Sequence, residues 1–111
     1  MPSNIYLHEK IIINNIFLCC SFWQRLRGFM FYRTPPAFSL LFKKVSALHM
    51  FFVFFPLAVI VLDKEKRVQN KFVLRPWMVS GYLAHAEHII ETTDLAVLNN
   101  ITLGDILSFS V

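Results

Sequence analysis

Glycine is scarce in this 111-residue chain. Three occur, too few for the glycine-rich loops that cradle phosphate in dinucleotide-binding and P-loop proteins. Cysteine is scarcer still. The two, Cys19 and Cys20, are adjacent, a placement that rarely reaches disulfide geometry, so no disulfide framework is available. The C-x-x-C spacing of redox and zinc sites is missing as well, and the pair suits a reducing cytoplasm. Charged residues make up 16% of the chain against 56% hydrophobic ones, which excludes intrinsic disorder, collagen and coiled coil. Basic residues outnumber acidic ones by 11 to 7, but no basic run reaches five residues. The charges therefore read as a solvated surface, and a nucleic-acid-binding tail is not expected. Met1 to Lys10 lacks the basic opening, apolar stretch and small-residue cleavage site of a secretory signal. No internal repeat or low-complexity segment is present.

What the chain has in quantity is apolar residues, including 12 Phe. Its length fits one domain, 1–111, that can bury a core without staples. Residues 45–62, VSALHMFFVFFPLAVIVL, are the oiliest part. Two readings stay open here. Length and hydropathy put the stretch at the lower edge of a membrane helix. Against that, Pro56 would break the helix, and Phe, Val and Ile prefer strands. As strands, the stretch divides at Pro56 into two pieces. Leu57–Leu62 reads as a strand covered on both faces. Asp63–Lys66 is then a charged turn leading into a strand over Val68–Leu74.

Elsewhere, Ile5–Ile13 and Ile16–Cys20 read as strands. Ser21-Phe22-Trp23-Gln24 is a capping box opening a short helix that ends near Gly28. Phe38–Phe42 is a strand or loop, and Tyr82–Thr92 is open between helix and strand. Thr93 is placed to cap a brief helix over Asp94–Asn99. Leu103-Gly104-Asp105 is a turn, and Ile106–Val111 a terminal strand.

The order of several short motifs resembles a widespread prokaryotic family, domain of unknown function 192. Arg25-Leu26-Arg27-Gly28-Phe29-Met30 is similar to its Arg-x-x-Gly-Leu-Met element. Leu48-His49-Met50 with Phe55-Pro56-Leu57-Ala58-Val59 resembles its next block. Leu74-Arg75-Pro76-Trp77, Ile89-Ile90-Glu91 and Ile101-Thr102-Leu103-Gly104-Asp105 resemble three further elements. Together they cover about residues 20–109, with the strands of residues 5–20 ahead of them. The resemblance implies an α+β, mostly β, small compact β-barrel-like domain with one or two short helices. It also implies a soluble domain, with 45–62 as core strands. The family supplies no reaction. Two departures stand out: Ala58 replaces the family's Asp, and Thr92-Thr93 stands where a Gly is usual.

Candidate chemistry is sparse. On a helix, His85, His88 and Glu91 would share one face as a metal triad; on a strand, His88 points away from the other two. The strand implied by the resemblance leaves a solvent-facing strip and no metal site. His49 in its apolar run reads first as a hydrogen-bonded core histidine. If the barrel closes, Arg75 and Trp77 become its neighbours, and Arg25 joins them through the family's motif. Arginine forks onto carboxylate or phosphate and tryptophan stacks, so such a mouth suits a small anionic or sugar-like ligand. No nucleophile elbow occurs and no cofactor is called for. The expectation is a cytoplasmic, non-catalytic binding or assembly module. With so few charges it should expose an apolar patch and self-associate, most simply as a dimer. The alternative is a small membrane-associated protein anchored by residues 45–62, and an enzyme comes third.

Overall fold

The computed structural model describes residues 3–19, 28–43, 48, 50, 52–83 and 86–109. Seven strands form one sheet: β1 (Ser3–Leu7), β2 (Lys10–Cys19), β3 (Ser39–Lys43), β4 (Leu57–Leu62), β5 (Val68–Leu74), β6 (His88–Thr92) and β7 (Ser108–Phe109). Their order is β5-β4-β6-β3-β2-β1-β7, and only the β2–β3 pair is parallel. A 3-10 helix spans Leu95–Asn100. The fold is therefore mostly β, with a radius of gyration of 12.7 Å against about 13 Å expected for a compact chain of this length.

Pro56 and Asp63 bound an uninterrupted apolar run, and β4 occupies all of it between β5 and β6. Its side chains alternate between two cores. Leu57, Val59 and Val61 enter one with Phe29, Leu40, Phe42, Met50, Phe55 and Ile89. Ala58, Ile60 and Leu62 enter the other with Ile5, Ile16, Leu41, Ile90, Val97 and Leu107. A strand covered on both faces has no need of polar alternation, which is why this run looked oily enough for lipid. The membrane-anchor alternative fails for Leu57–Leu62, which are sheet, and no helix among the described residues is long and apolar enough to cross a membrane.

The connections cross the first core. Among the described residues, 28–38, 50–56 and 75–87 supply Phe29, Met50, Val53, Phe55, Leu83 and Ala86 to its cover. The 3-10 helix covers the second core, and the ammonium of Lys71 in β5 donates to the carbonyls of Leu98 (2.6 Å) and Ile101 (2.8 Å) at its end. The sheet curls until Arg67, just before β5, bridges Ile106, just before β7. Val68 N–H donates to the Asp105 carbonyl and Leu107 N–H to that of Lys66. Among the described residues β5 and β7 share no ladder, so the sheet is not closed into the expected barrel.

Several local expectations change. The strand read over Ile5–Ile13 is broken at His8-Glu9, both with positive φ, the geometry of a two-residue hairpin, and β2 runs on through Asn14-Asn15 where two separate strands were read. Asn15 (φ 53°) is instead a bulge. It lets Ile13 and Ile16, three apart, both enter the second core opposite Ile5 and Ser3. The segment before Pro56 is not a second strand where described: Phe52–Phe55 turn, with Phe52 at φ 60°. Asp94, not Thr93, caps the 3-10 helix by accepting from Ala96 N–H, while Thr93 donates its hydroxyl to the Pro36 carbonyl. In the open stretch Tyr82–Thr92, residues 82–83 and 86–87 are loop and His88–Thr92 is β6. The capping box and its helix lie outside the described residues, and the terminal strand read over Ile106–Val111 begins at Ser108 and includes Phe109, its last two residues also lying outside the described residues.

Candidate functional site

Leu74 ends β5, and Pro76, which has no N–H, prevents the ladder from continuing. A turn follows, with Met78 N–H donating to the Arg75 carbonyl at 3.2 Å. Trp77 sits at its apex with φ 68°, a conformation that costs a residue with a Cβ about 1–2 kcal/mol. Contacts to the neighbouring segment hold it there. Trp77 N–H donates to the Met50 carbonyl (2.9 Å), and Met50 N–H donates to the Met78 carbonyl (2.7 Å). A second crossing is tied the same way, Phe31 N–H to the Phe52 carbonyl at 2.9 Å. Phe31 (φ 71°) and Phe52 (φ 60°) are also left-handed.

Three left-handed aromatic residues on three segments thus meet. Phe31 and Phe52 stack with centroids 5.2 Å apart, and Phe52 meets Trp77 edge-on at 5.0 Å. All three face solvent, at 59%, 45% and 52% exposure. Phe31, Phe54 and Arg33 line a shallow groove of about 430 Å³ beside them. Backbone strain concentrated on exposed aromatic side chains is the pattern of a surface shaped for contact rather than for stability. The charge around it is one-sided. No acid occurs between Lys10 and Leu62 or between Lys66 and Ala86, the two spans from which this face is built.

Of the candidate residues, Trp77 lies on this face and Arg75 stands two residues before it in the same turn, both exposed, while His49 and Arg25 fall outside the described residues. Sequence reasoning missed Phe31, Phe52 and Phe54 by treating phenylalanine as core. The readable signal was Phe51-Phe52-Val53-Phe54-Phe55, in which Val53 and Phe55 are buried and Phe52 and Phe54 exposed.

His85 lies outside the described residues, and His88 and Glu91 do not form the solvent-facing strip that was expected. Both are buried, because β6 is flanked on either side by β3 and β4. They point to opposite faces. Glu91 lies across from Leu40 and Val59 in the first core, and His88 packs edge-on to Phe109 at 5.4 Å. No group of three potential metal ligands occurs among the described residues. Burial pushes the Glu91 carboxyl up to about 8, so it is protonated at neutral pH. Its Oε1 stands 3.6 Å from where a Cβ on Gly28 (φ 47°) would be. Burial, and then the Lys43 ammonium on the adjacent strand, lower the pKa of His88, whose buried Nδ1 has no hydrogen-bond partner among the described residues. Ala58 is fully buried in the second core opposite Thr92, whose hydroxyl accepts from Ser39 at 2.8 Å. A polar cleft of about 350 Å³ opens there, between residues 11–14, 37–39 and 92–94.

No protein-family profile and no curated protein matches the chain. Solved structures do. A protein of unknown function from Novosphingobium aromaticivorans superposes with a TM-score of 0.75 at 18% identity, covering 97% of this chain and 84% of its own. A "putative transcription regulator" from Sinorhizobium meliloti gives 0.72 at 14%, covering 97% and 92%. At these identities the likeness shows a shared fold, one that spans nearly the whole chain.

Proposed function

We propose that this domain is a non-catalytic binding or assembly module that meets its partner through the face carrying Phe31, Phe52, Trp77, Arg33 and Arg75. The observation that carries the reading is the meeting of three exposed aromatic residues in left-handed backbone, locked by main-chain hydrogen bonds between segments. A surface fixed before binding loses little conformational freedom on contact. Arginine and tryptophan together suit an anionic group or a flat apolar or sugar-like face. In this reading the domain is cytoplasmic, the curled sheet is a barrel-like scaffold for the crossing segments, and the motif order supports membership of the domain of unknown function 192 family.

Self-association was expected from composition. A two-fold pairing of this face would bring Arg33 and Arg75 of both copies together with no acid to meet them, so the face itself favours a partner of opposite charge. A dimer would use another surface, and sedimentation velocity across a concentration series tests for one. The binding reading is tested by following tryptophan emission against a panel of small anions and sugars for the wild type, Arg75→Ala and Trp77→Asn. Asparagine tolerates positive φ and so keeps the loop. The reading expects a response that both variants lose. A response that neither variant alters would place the site elsewhere.

A further inference from the structure

The face described above combines exposed apolar side chains with cations and contains no acid, and this combination narrows what covers it. We propose that it docks peripherally on an anionic phospholipid bilayer. Phe31, Phe52, Phe54 and Trp77 enter the boundary between headgroups and acyl chains, and Arg33 and Arg75 meet lipid phosphates. The proposal rests on the binding reading above and names its occupant.

Three observations favour a lipid surface. The first is the kind of apolar residue exposed. Trp and Phe dominate the patch, and Met78 (47%) and Val79 (57%) continue it along the chain from Trp77. Aromatic and aliphatic side chains of this kind partition into the interfacial layer, where buried apolar area and attraction to anionic lipid add. The second is charge. The spans that build the face, 10–62 and 66–86, contain no carboxylate. A negative leaflet therefore meets no repulsion there, and each cation near it adds attraction. Of the six acids besides Glu91, four, Asp63, Glu65, Glu87 and Asp105, gather at the other end of β4, where Glu87 N–H donates to the Leu62 carbonyl and Val68 N–H to that of Asp105, while Glu9 stands in the β1–β2 turn and Asp94 caps the 3-10 helix. The third is rigidity. Aromatic residues held left-handed by cross-segment hydrogen bonds stay presented in water, where they gain nothing from exposure.

Nucleic acid fits less well. Binding along a phosphate backbone depends on many cations tracking it, whereas among the described residues this patch sets Arg33 and Arg75 beside a larger apolar area. The occupant proposed here also differs from a membrane anchor, since β4 stays inside the sheet and only the outer side chains of the crossing segments meet lipid.

Co-sedimentation with two sets of vesicles tests the proposal, one of phosphatidylcholine alone and one of equal parts phosphatidylcholine and phosphatidylglycerol. The full chain should sediment with the anionic vesicles and not the neutral ones, less so as salt rises. Phe52→Asn with Trp77→Asn, which keeps left-handed backbone allowed, should weaken partitioning about tenfold or more. Phe54→Ser, at an exposed position without positive φ, should weaken it in the same direction, and circular dichroism confirms that each variant is folded. Absence of sedimentation with both vesicle sets would overturn the proposal, as would undiminished sedimentation of the folded double variant. Glycerol phosphate and single-stranded RNA are added separately as soluble probes. A Trp77-dependent emission change with either, without vesicle binding, overturns the lipid assignment and leaves the binding reading standing. Silence in every arm removes both.

Discussion

Glu91 offers the sharpest quantitative test of the packing. Its carboxyl sits in the first core between Leu40 and Val59, and burial raises its pKa from 4.5 to about 8. Below pH 4.5 both folded and unfolded chains hold the proton, and the group costs the fold no ionisation. As pH rises from 4.5 toward 8 the unfolded chain releases the proton and the folded chain keeps it, so stability falls throughout this window. Above about 8 the folded carboxyl ionises too, and the loss stops growing. At about 1.4 kcal/mol per pH unit, the gap from 4.5 to about 8 amounts to about 5 kcal/mol as a ceiling, a large fraction of the about 5–15 kcal/mol that holds a domain together. Glu91→Gln replaces the carboxyl by a neutral amide of nearly equal shape. Urea unfolding of wild type and variant at pH 4 to 9 should show a stability difference that moves steadily in the variant's favour between pH 4.5 and 8. His88 titrates with the opposite slope, but both proteins carry it and it cancels from the difference. A stability difference constant with pH would refute a carboxyl whose pKa is raised by burial.

Other consequences are as direct. Lys71→Met removes both hydrogen bonds that hold the end of the 3-10 helix and should cost about 1–3 kcal/mol in thermal or urea unfolding; an unchanged midpoint would mean those bonds contribute nothing. Gly28→Ala meets Glu91 Oε1 at ordinary contact distance, so its cost, about 1 kcal/mol, should come from the positive φ and be recovered in part by Gly28→Asn. His88 has a lowered pKa, so its share of stability is present above pH 6.5 and lost as pH falls below it. His88→Phe should remove that acid-side loss, which pH-dependent unfolding reads directly.

The sequence carried β4 and β5 plainly. Pro56, the apolar run and the charged turn from Asp63 mark their limits, and continuous hydrophobicity correctly signals a strand covered twice. The β1–β2 turn was hidden because His8-Glu9 adopts positive φ without the Gly or Asn that usually announces it. Asn14-Asn15, left between the two strands read from the sequence, is a bulge within one strand, β2. The burial of His88 and Glu91 was illegible for a different reason. Their polarity suggests solvent, and only the strand order, set by long-range pairing, places β6 between two others. The candidate face was half legible. Arg75-Pro76-Trp77 stood out as a strand end with exposed chemistry, but Phe31 and Phe52 come from segments distant in sequence and are brought to Trp77 only by the crossings over the first core.

Hydrogen exchange of the free and partner-bound chain, with anionic vesicles as the partner, tests the whole account in one measurement. The amides of Leu57–Leu62 and His88–Thr92 should be the slowest in both states, and protection gained on binding should fall within residues 29–33, 52–56 and 75–79. Fast exchange across β4, or new protection centred on the β1–β2 hairpin, would contradict it.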